Sequence, residues 1–163
     1  MGVRNCADIG ENLQKIITRL MANDKLVNLL YYTDKDPYSK EILTEEQKRE
    51  EVYEKLIKII PRVGPKETAN SMVVVKVVSA RLDPNNTEFK NLTLEVEVFV
   101  PMTQWIIRDS NLRPFAILGE VQKSLNGKTV NGLGKMVGGS FDLNYLSDEI
   151  SCYVQTFSIT SYE

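Results

Sequence analysis

The sequence predicts an α+β fold: a mostly antiparallel four-stranded sheet (β-hairpin, helix, β-hairpin) packed with helices and preceded by an N-terminal helical segment. Apolar residues recur at helical spacing over the first 60 positions, and β-branched residues become dense after Pro61. Strand patterns then flank one further helical pattern. At 163 residues we expect a single domain over 1–163, comprising a helical segment (1–61) and a sheet with its covering helix (62–163).

The N-terminal segment predicts two helices before a charged loop. Apolar residues at spacings of three and four predict a helix over residues 8–21. Asn23 or Asp24 can cap a second short helix that carries Leu26 to Leu30. The stretch TDKDPYSKE then indicates an exposed loop, because Pro37 disfavours helical backbone at Asp36.

A third helix is predicted from Thr44 to about Ile59. Thr44 and Gln47 have the spacing of a capping box, and Val52, Leu56 and Ile59 supply an apolar stripe. Charged residues at i and i+4, such as Glu51 and Lys55, indicate a solvated outer face. Pro61 would end this helix.

Two hairpins and a helix make up the rest of the chain. MVVVKVVSA predicts one strand, and LTLEVEVFV alternates between an apolar and a polar face. The turn signal from Asp83 to Asn86 predicts that they pair antiparallel. A loop over 101–113 leads into a helix from Pro114, which is expected to end in a left-handed cap at Asn126-Gly127. Strands over 135–143 and 151–159 complete the predicted sheet, and Phe115, Ile117, Leu118, Val121 and Leu125 are expected to pack the helix onto it.

The composition excludes several functions. The chain contains no histidine, which excludes Ser-His-Asp hydrolases and histidine-based metal sites. Its 20 basic and 22 acidic residues lack the basic excess of a dedicated nucleic-acid-binding domain. Cys6 and Cys152 lack metal-ligand spacing and are expected to be reduced. We therefore expect no cofactor and no metal, and the lack of a long apolar run predicts no membrane association.

Two loops are candidate interaction sites. Trp105, Ile106 and Ile107 form an apolar cluster inside a loop, so Trp105 is either an interface anchor or a plug at the end of the core. The glycine-rich stretch NGKTVNGLGKMVGG resembles a phosphate loop only superficially, because a helix precedes it and a strand follows. A loop that packs against a partner is the better interpretation, with Gly132, Gly134 and Lys135 as candidates.

The remaining polar candidates are acidic or lie on a strand. The acidic residues Asp83, Asp109, Asp142, Asp148 and Glu149 all fall in predicted turns, where aspartate commonly bonds to the backbone. Thr93, Glu95 and Glu97 share one strand face, which faces either solvent or a polar interior.

Four features stand out along the chain between residues 8 and 160. A helix precedes Ile59-Ile60-Pro61-Arg62-Val63, and an alternating strand ends in Val98-Phe99-Val100-Pro101. Leu112-Arg113-Pro114-Phe115-Ala116-Ile117-Leu118 enters the covering helix, and the final strands carry Tyr153, Phe157 and Ile159. In these features and in the order of its elements the chain resembles the tail-terminator and head-to-tail joining (neck) proteins of tailed bacteriophages.

This resemblance implies a structural role without catalysis. The expected assembly is a homo-oligomeric ring of six copies in the virion neck, built in the host cytoplasm, that terminates the tail tube and joins it to the head connector. Thr93, Glu95 and Glu97 would line a channel through which genomic DNA passes without sequence-specific binding. Trp105, Ile106, Ile107 and Arg108 would contact an adjacent subunit or ring, with the 126–135 loop as a second docking arm. The partners would be further copies, the connector-side neck protein and the tail tube protein.

Two alternatives stay open from the sequence. The chain could form another neck ring, such as a connector adaptor, a stopper or a tail-completion protein. From another class, it could be a small cytoplasmic α+β enzyme or ligand-binding domain that uses carboxylates such as Asp83 and Asp109.

Overall fold

The fold is a curled six-stranded sheet with helices against one face, described here from a computed structural model that covers residues 6–59, 70–85 and 89–160. The elements in chain order are α1 (Cys6–Met21), α2 (Asp24–Tyr31), α3 (Glu45–Gln47), β1 (Ile57–Lys58), β2 (Met72–Leu82), β3 (Phe89–Pro101), β4 (Ile106–Ile107), β5 (Asn111–Leu112), α4 (Arg113–Leu125), β6 (Thr129–Val130), β7 (Gly134–Leu146) and β8 (Ile150–Thr160).

The prediction of a four-stranded sheet is correct for its long strands and wrong for its edges. The sheet order is β1-β2-β3-β8-β7-β6, and each of the four long strands β2, β3, β8 and β7 is antiparallel to its long neighbours. Two-residue strands extend each edge, β1 parallel to β2 and β6 antiparallel to β7. A separate two-stranded sheet, β4-β5, lies in the segment predicted as a plain loop. Such short strands escape sequence patterns because two residues carry no periodicity.

The apolar face of β3 forms the centre of the core, as its alternation predicts. The side chains of Leu92, Leu94, Val96, Val98 and Val100 are all buried. Helices α1 and α4 contact the sheet, and α2 contacts both of them. Asn23 caps α2 by accepting a hydrogen bond from the Leu26 amide at 3.1 Å, and its own amide donates to Ser124 in α4 at 2.9 Å. A single polar side chain therefore fixes the start of α2 against α4.

The third predicted helix is wrong beyond its first turns. Its capping box forms, because Thr44 Oγ1 accepts from the Gln47 amide and Gln47 Oε1 accepts from the Thr44 amide. The helix then widens into a π-helical turn over Lys48–Val52 and ends at Tyr53, before Glu54 adopts a φ of 58°. The chain enters β1 instead, because pairing with β2 buries Ile57. Glu51 and Lys55 therefore do not lie on one helix, and the predicted i, i+4 pair does not apply. The predicted stop at Pro61 lies outside the described residues.

The positive φ predicted at the end of α4 is present at Gly127, but it belongs to a β-turn and not to a helical αL cap. Asn126 is extended (φ −64°, ψ 129°), Gly127 follows with a φ of 71°, and the Lys128 amide donates to the Leu125 carbonyl at 3.1 Å. These angles define a type II turn, whose third position requires positive φ and therefore favours glycine. Of the five α4 residues predicted to pack onto the sheet, Phe115 is 41% exposed, while the other four are buried.

Candidate interaction surface

The loop that contains Trp105 is packed within the subunit over part of its length. Trp105 is half-buried, and its indole N–H donates to Ser151 Oγ at 3.0 Å. Ile107 is buried, whereas Ile106 is 58% exposed. Of the two interpretations left open for Trp105, this geometry favours packing at the end of the core, and Ile106 is the apolar side chain of the loop that a partner can reach.

Two arginines fix this loop to the segment after α2. The exposed Arg108 forms an ion pair with Asp36 at 2.7 Å, and its amide donates to the Lys35 carbonyl at 2.6 Å. Arg113 is fully buried, and its guanidinium donates to four backbone carbonyls. Two of these belong to Leu29 and Tyr32 at the end of α2, where helical carbonyls lack partners within the helix. The loop is therefore held rigidly against α2.

The glycine-rich loop also has its contacts inside the subunit. Lys15 of α1 donates to the Asn131 carbonyl at 2.9 Å, and Asn12 donates to the Gly132 carbonyl at 3.3 Å. A Cβ atom at Gly132 would lie 2.5 Å from Asn12 Oδ1, so glycine is required for this close approach. Gly134 adopts a φ of 119°, and Lys135 is exposed at the start of β7.

The negative charge on the polar face of β3 is largely offset by a lysine of the neighbouring strand. Lys76 of β2 lies 3.6 Å from Glu95 and in closer contact with Glu97, and the hydrogen bond from Lys76 to Glu97 raises the pKa of Lys76. Glu97 is only 6% exposed, while Thr93 and Glu95 are half-buried. Burial, followed by the Glu97 charge, raises the pKa of the nearby Cys152 thiol to about 12. This face is therefore a paired polar surface rather than a strongly acidic wall.

The second half of β7 carries an exposed apolar surface that sequence reasoning missed. Phe141 and Leu143 are 47% and 50% exposed, and Tyr145 and Leu146 are exposed to a similar degree. We call residues 139–146 the β7 edge segment. The alternation of apolar residues in FDLNYL was visible in the sequence, but only the strand order places this stretch at an edge of the sheet.

The outer side of this segment is unpaired. Near the start of β7, Met136 exchanges backbone hydrogen bonds with Gly127 and Lys128, and the Gly138 amide donates to Asn126 Oδ1. From Phe141 to Leu146 no hydrogen bond to the outer side is present among residues 6–59, 70–85 and 89–160. Met136 and Gly138 direct their backbone groups outward, opposite Ile159 and Phe157 of β8. Phe141 and Leu143 lie opposite Gln155 and Tyr153, the next alternate residues of β8, so their backbone groups also point away from β8. An unpaired strand edge with apolar side chains is a template for pairing with another chain.

Aromatic rings adjoin the β7 edge segment on the helical side of the sheet. The Phe115 ring lies 5.2 Å from Tyr153 and 6.1 Å from Phe141, and Tyr153 lies 6.3 Å from Trp105. Phe115 is therefore turned toward this cluster and away from the core. Phe141, Leu143 and Leu146 lie on the same side of the sheet as this cluster, whereas the irregularity after Leu143 turns Tyr145 to the polar side. The cluster and these three exposed side chains form an apolar surface of the kind that marks protein interaction sites.

The acidic candidates do not converge. Asp83 follows β2 and accepts a hydrogen bond from the Asn85 amide at 2.9 Å, as predicted for a turn residue. Asp109 lies in the loop after β3, at the opposite end of the sheet, because Leu82 pairs with Phe89 and Met72 with Phe99. In the part of the chain that the structure describes, no cluster of three potential metal-ligating side chains occurs. Both cysteines are free, with Cys6 exposed and Cys152 buried.

No helix among the described residues is long and apolar enough to cross a membrane.

Comparison with known proteins identifies a family. No curated protein matches the chain. The family model named YomW matches residues 23–159, which include α2, the apolar surface of β7 and all of the sheet except the last residue of β8. The chain therefore belongs to the YomW family, a phage-type protein family.

Proposed function

We propose that the chain is a virion structural protein of the phage neck. In this role copies of the chain form a ring, six in number, that terminates the tail tube, joins it to the head connector and leaves a channel for DNA. Membership of a phage-type family supports the viral setting, and the resemblance of the element order to neck proteins supports the position.

The observation that carries the proposal is the unpaired, apolar β7 edge segment. Soluble proteins protect sheet edges with short strands, charges or covering elements. Here β6 pairs with Gly134 and Lys135 at the start of β7, and hydrogen bonds from the 126–128 turn cover Met136 and Gly138. The second half is unprotected and exposes Phe141, Leu143, Tyr145 and Leu146. Such an edge is suited to assembly with another chain, and a closed ring removes it from solvent.

The charge on the polar face of the sheet is compatible with a channel for DNA. Lys76 lies between Glu95 and Glu97, so the wall carries little net charge and would neither bind nor strongly repel phosphate. The exposed Ile106 and Arg108, at the end of the sheet where β3 ends, are suited to contact a neighbouring ring.

The test is the assembly state of the purified chain. Light scattering across protein concentration and salt, followed by negative-stain imaging, should reveal closed rings about as wide as a tail tube. Leu143→Glu should abolish them, because it places a charge on the apolar edge. Ile42→Glu is the matched control, since Ile42 is also exposed but lies far from β7 in sequence and outside the sheet.

Two results would contradict the proposal: a chain that stays monomeric at every concentration, or rings that Leu143→Glu leaves unchanged. Binding of the rings to tail tube protein but not to connector protein would favour a terminator. The reverse would favour a connector adaptor or stopper.

A further inference from the structure

We propose that the β7 edge segment pairs with the C-terminal half of β2, residues 77–82, of a second copy of this chain. This inference rests on the proposed assembly and adds the two surfaces that meet, their direction and their register. Copies would join head to tail, so that β7 of one subunit continues into β2 of the next within one antiparallel sheet.

The two edges of the sheet are open at diagonally opposite corners. At one edge β1 covers β2 only at Val73 and Val74, and residues 75–82 have no outer strand among the residues that the structure describes. At the other edge β6 covers β7 only at Gly134 and Lys135. Because β2 and β7 run in opposite directions, two copies in the same orientation place their open edges antiparallel.

The side chains select one register for this pairing. Asp142 opposite Arg81 places unlike charges on the polar face of the sheet, where cross-strand pairs of opposite charge are favourable. In the same register Leu143 lies opposite Ala80, and Phe141 opposite Leu82, all on the helical side. The exposed Leu82 and Phe141 would therefore cover each other.

The backbone is in phase for this register. The Val73 amide donates to the Leu56 carbonyl, so the backbone groups of Val73 point away from β3, as do those of alternate residues up to Val77. The irregularity after Val77 adds one residue, so Ala80 is the next residue whose backbone groups point outward. Leu143 is an outward residue of β7. Ala80 and Leu143 can thus form a hydrogen-bonded pair, with Arg81 and Asp142 as the adjacent non-hydrogen-bonded pair.

The stagger between copies permits closure of a ring. Within one subunit the cross-strand pairs Asp142–Val154, Val154–Glu97 and Glu97–Val74 place Asp142 and Val74 at the same height in the sheet. Pairing of Asp142 with Arg81 of the next copy, instead of with the level of Val74, therefore shifts that copy along the strand direction. This shift is about 20 Å at a rise of roughly 3.3 Å per residue, against a width of about 19 Å for four strands. The strands would tilt by about 45° from the ring axis, within the usual range of closed sheets. Without this stagger, β1 and β6 would occupy part of the two edges.

Cysteine cross-linking tests the register directly. Arg81→Cys and Asp142→Cys are prepared as separate proteins in a Cys6→Ser background, because Cys6 is exposed while Cys152 is buried. Their mixture, under mild oxidation, should give a disulfide-linked dimer, since Cβ atoms in non-hydrogen-bonded antiparallel pairs approach the distance that a disulfide needs. Replacing Arg81→Cys by Ser79→Cys, two residues away on the same face, should lower the yield at least tenfold.

A charge exchange provides a second measurement. Arg81→Asp and Asp142→Arg should each lower the assembled fraction at least tenfold, and the double variant should restore it. Absence of the mixed cross-link at the highest soluble concentration would overturn the proposal. A dimer formed by Asp142→Cys alone would overturn it in favour of two-fold pairing of β7 with itself.

The outcomes also separate this inference from the proposed neck ring. Mixed cross-links in open filaments would support the pairing and contradict the ring. Closed rings without the mixed cross-link would support the ring and contradict this pairing.

Discussion

Arg113 is the side chain whose loss should most damage the fold. Its guanidinium has no exposed surface and donates to the carbonyls of Gln104 at 2.8 Å, Leu29 at 2.5 Å, Tyr32 at 2.9 Å and Asp34 at 2.5 Å. It thereby joins the end of α2, the segment after it and the Trp105 loop. Burial lowers the pKa of Arg113, which reflects the cost of its desolvation.

Arg113→Met retains the length of the side chain and removes all four hydrogen bonds. Four carbonyls then lose this donor, those of Gln104 and Leu29 in buried hydrogen bonds and those of Tyr32 and Asp34 in partly buried ones, and we expect the free energy of unfolding to fall by about 3–5 kcal/mol. Arg113→Lys retains the charge, but an ammonium lacks the planar fork that reaches several carbonyls, so it should recover only part of this loss. The matched control is Arg108→Met, which removes one exposed ion pair and should cost about 0–1 kcal/mol.

Urea unfolding followed by the fluorescence of Trp105 measures these differences, because Trp105 is the single tryptophan and follows Gln104 directly. With a slope of about 2 kcal/mol/M, the midpoint for Arg113→Met should shift by roughly 2 M. If Arg113→Met does not fold, the Lys variant provides the measurement. If Arg113→Met lost no more stability than Arg108→Met, the four hydrogen bonds of Arg113 would not stabilise the fold as described.

Gly132→Ala should destabilise the chain by about 1–3 kcal/mol, because a φ of 90° and the contact with Asn12 both disfavour a Cβ; Gly119→Ala, in α4 with open space around it, should be neutral or stabilising in the same urea titration. Cys152 should resist thiol reagents in the folded chain at pH 8, since its pKa is about 12, so that one thiol per chain titrates before unfolding and two after; a rapid second equivalent would contradict this. Because its hydrogen bond to Glu97 raises the pKa of Lys76, this pair stabilises the fold fully at pH values below the ordinary lysine pKa, and the stabilisation is lost as pH rises through the raised pKa. The melting temperature should therefore fall less steeply at alkaline pH for Lys76→Met than for the native chain. Thr44→Ala should lower stability by about 1 kcal/mol through loss of the capping box, and an unchanged urea midpoint would show that the short α3 does not depend on it.

Local signals identified most of the elements. The alternation in β3, the stripe of α1 and the caps at Asn23 and Thr44 act through neighbouring residues, so their physical basis is present in the sequence itself. The third predicted helix failed because its apolar residues fit two structures. Val52, Leu56 and Ile57 are all buried although only Val52 lies in a helical turn. Pairing of β1 with β2 therefore outweighs the helical pattern, whose final residues, such as Ile57, have weak helix propensity.

Sequence patterns alone predict the α+β class, the two long hairpins and the buried face of β3, and they exclude histidine chemistry. Only the packed fold shows which strands lie at the edges, which arginine is buried and which apolar residues remain exposed. Periodicity sets which residues share a face, whereas burial also depends on what packs against that face. Phe141 and Val96 are both apolar residues in alternating segments. Val96 is a core residue because β3 lies in the centre of the sheet, whereas Phe141 is exposed because its part of β7 lies at an edge.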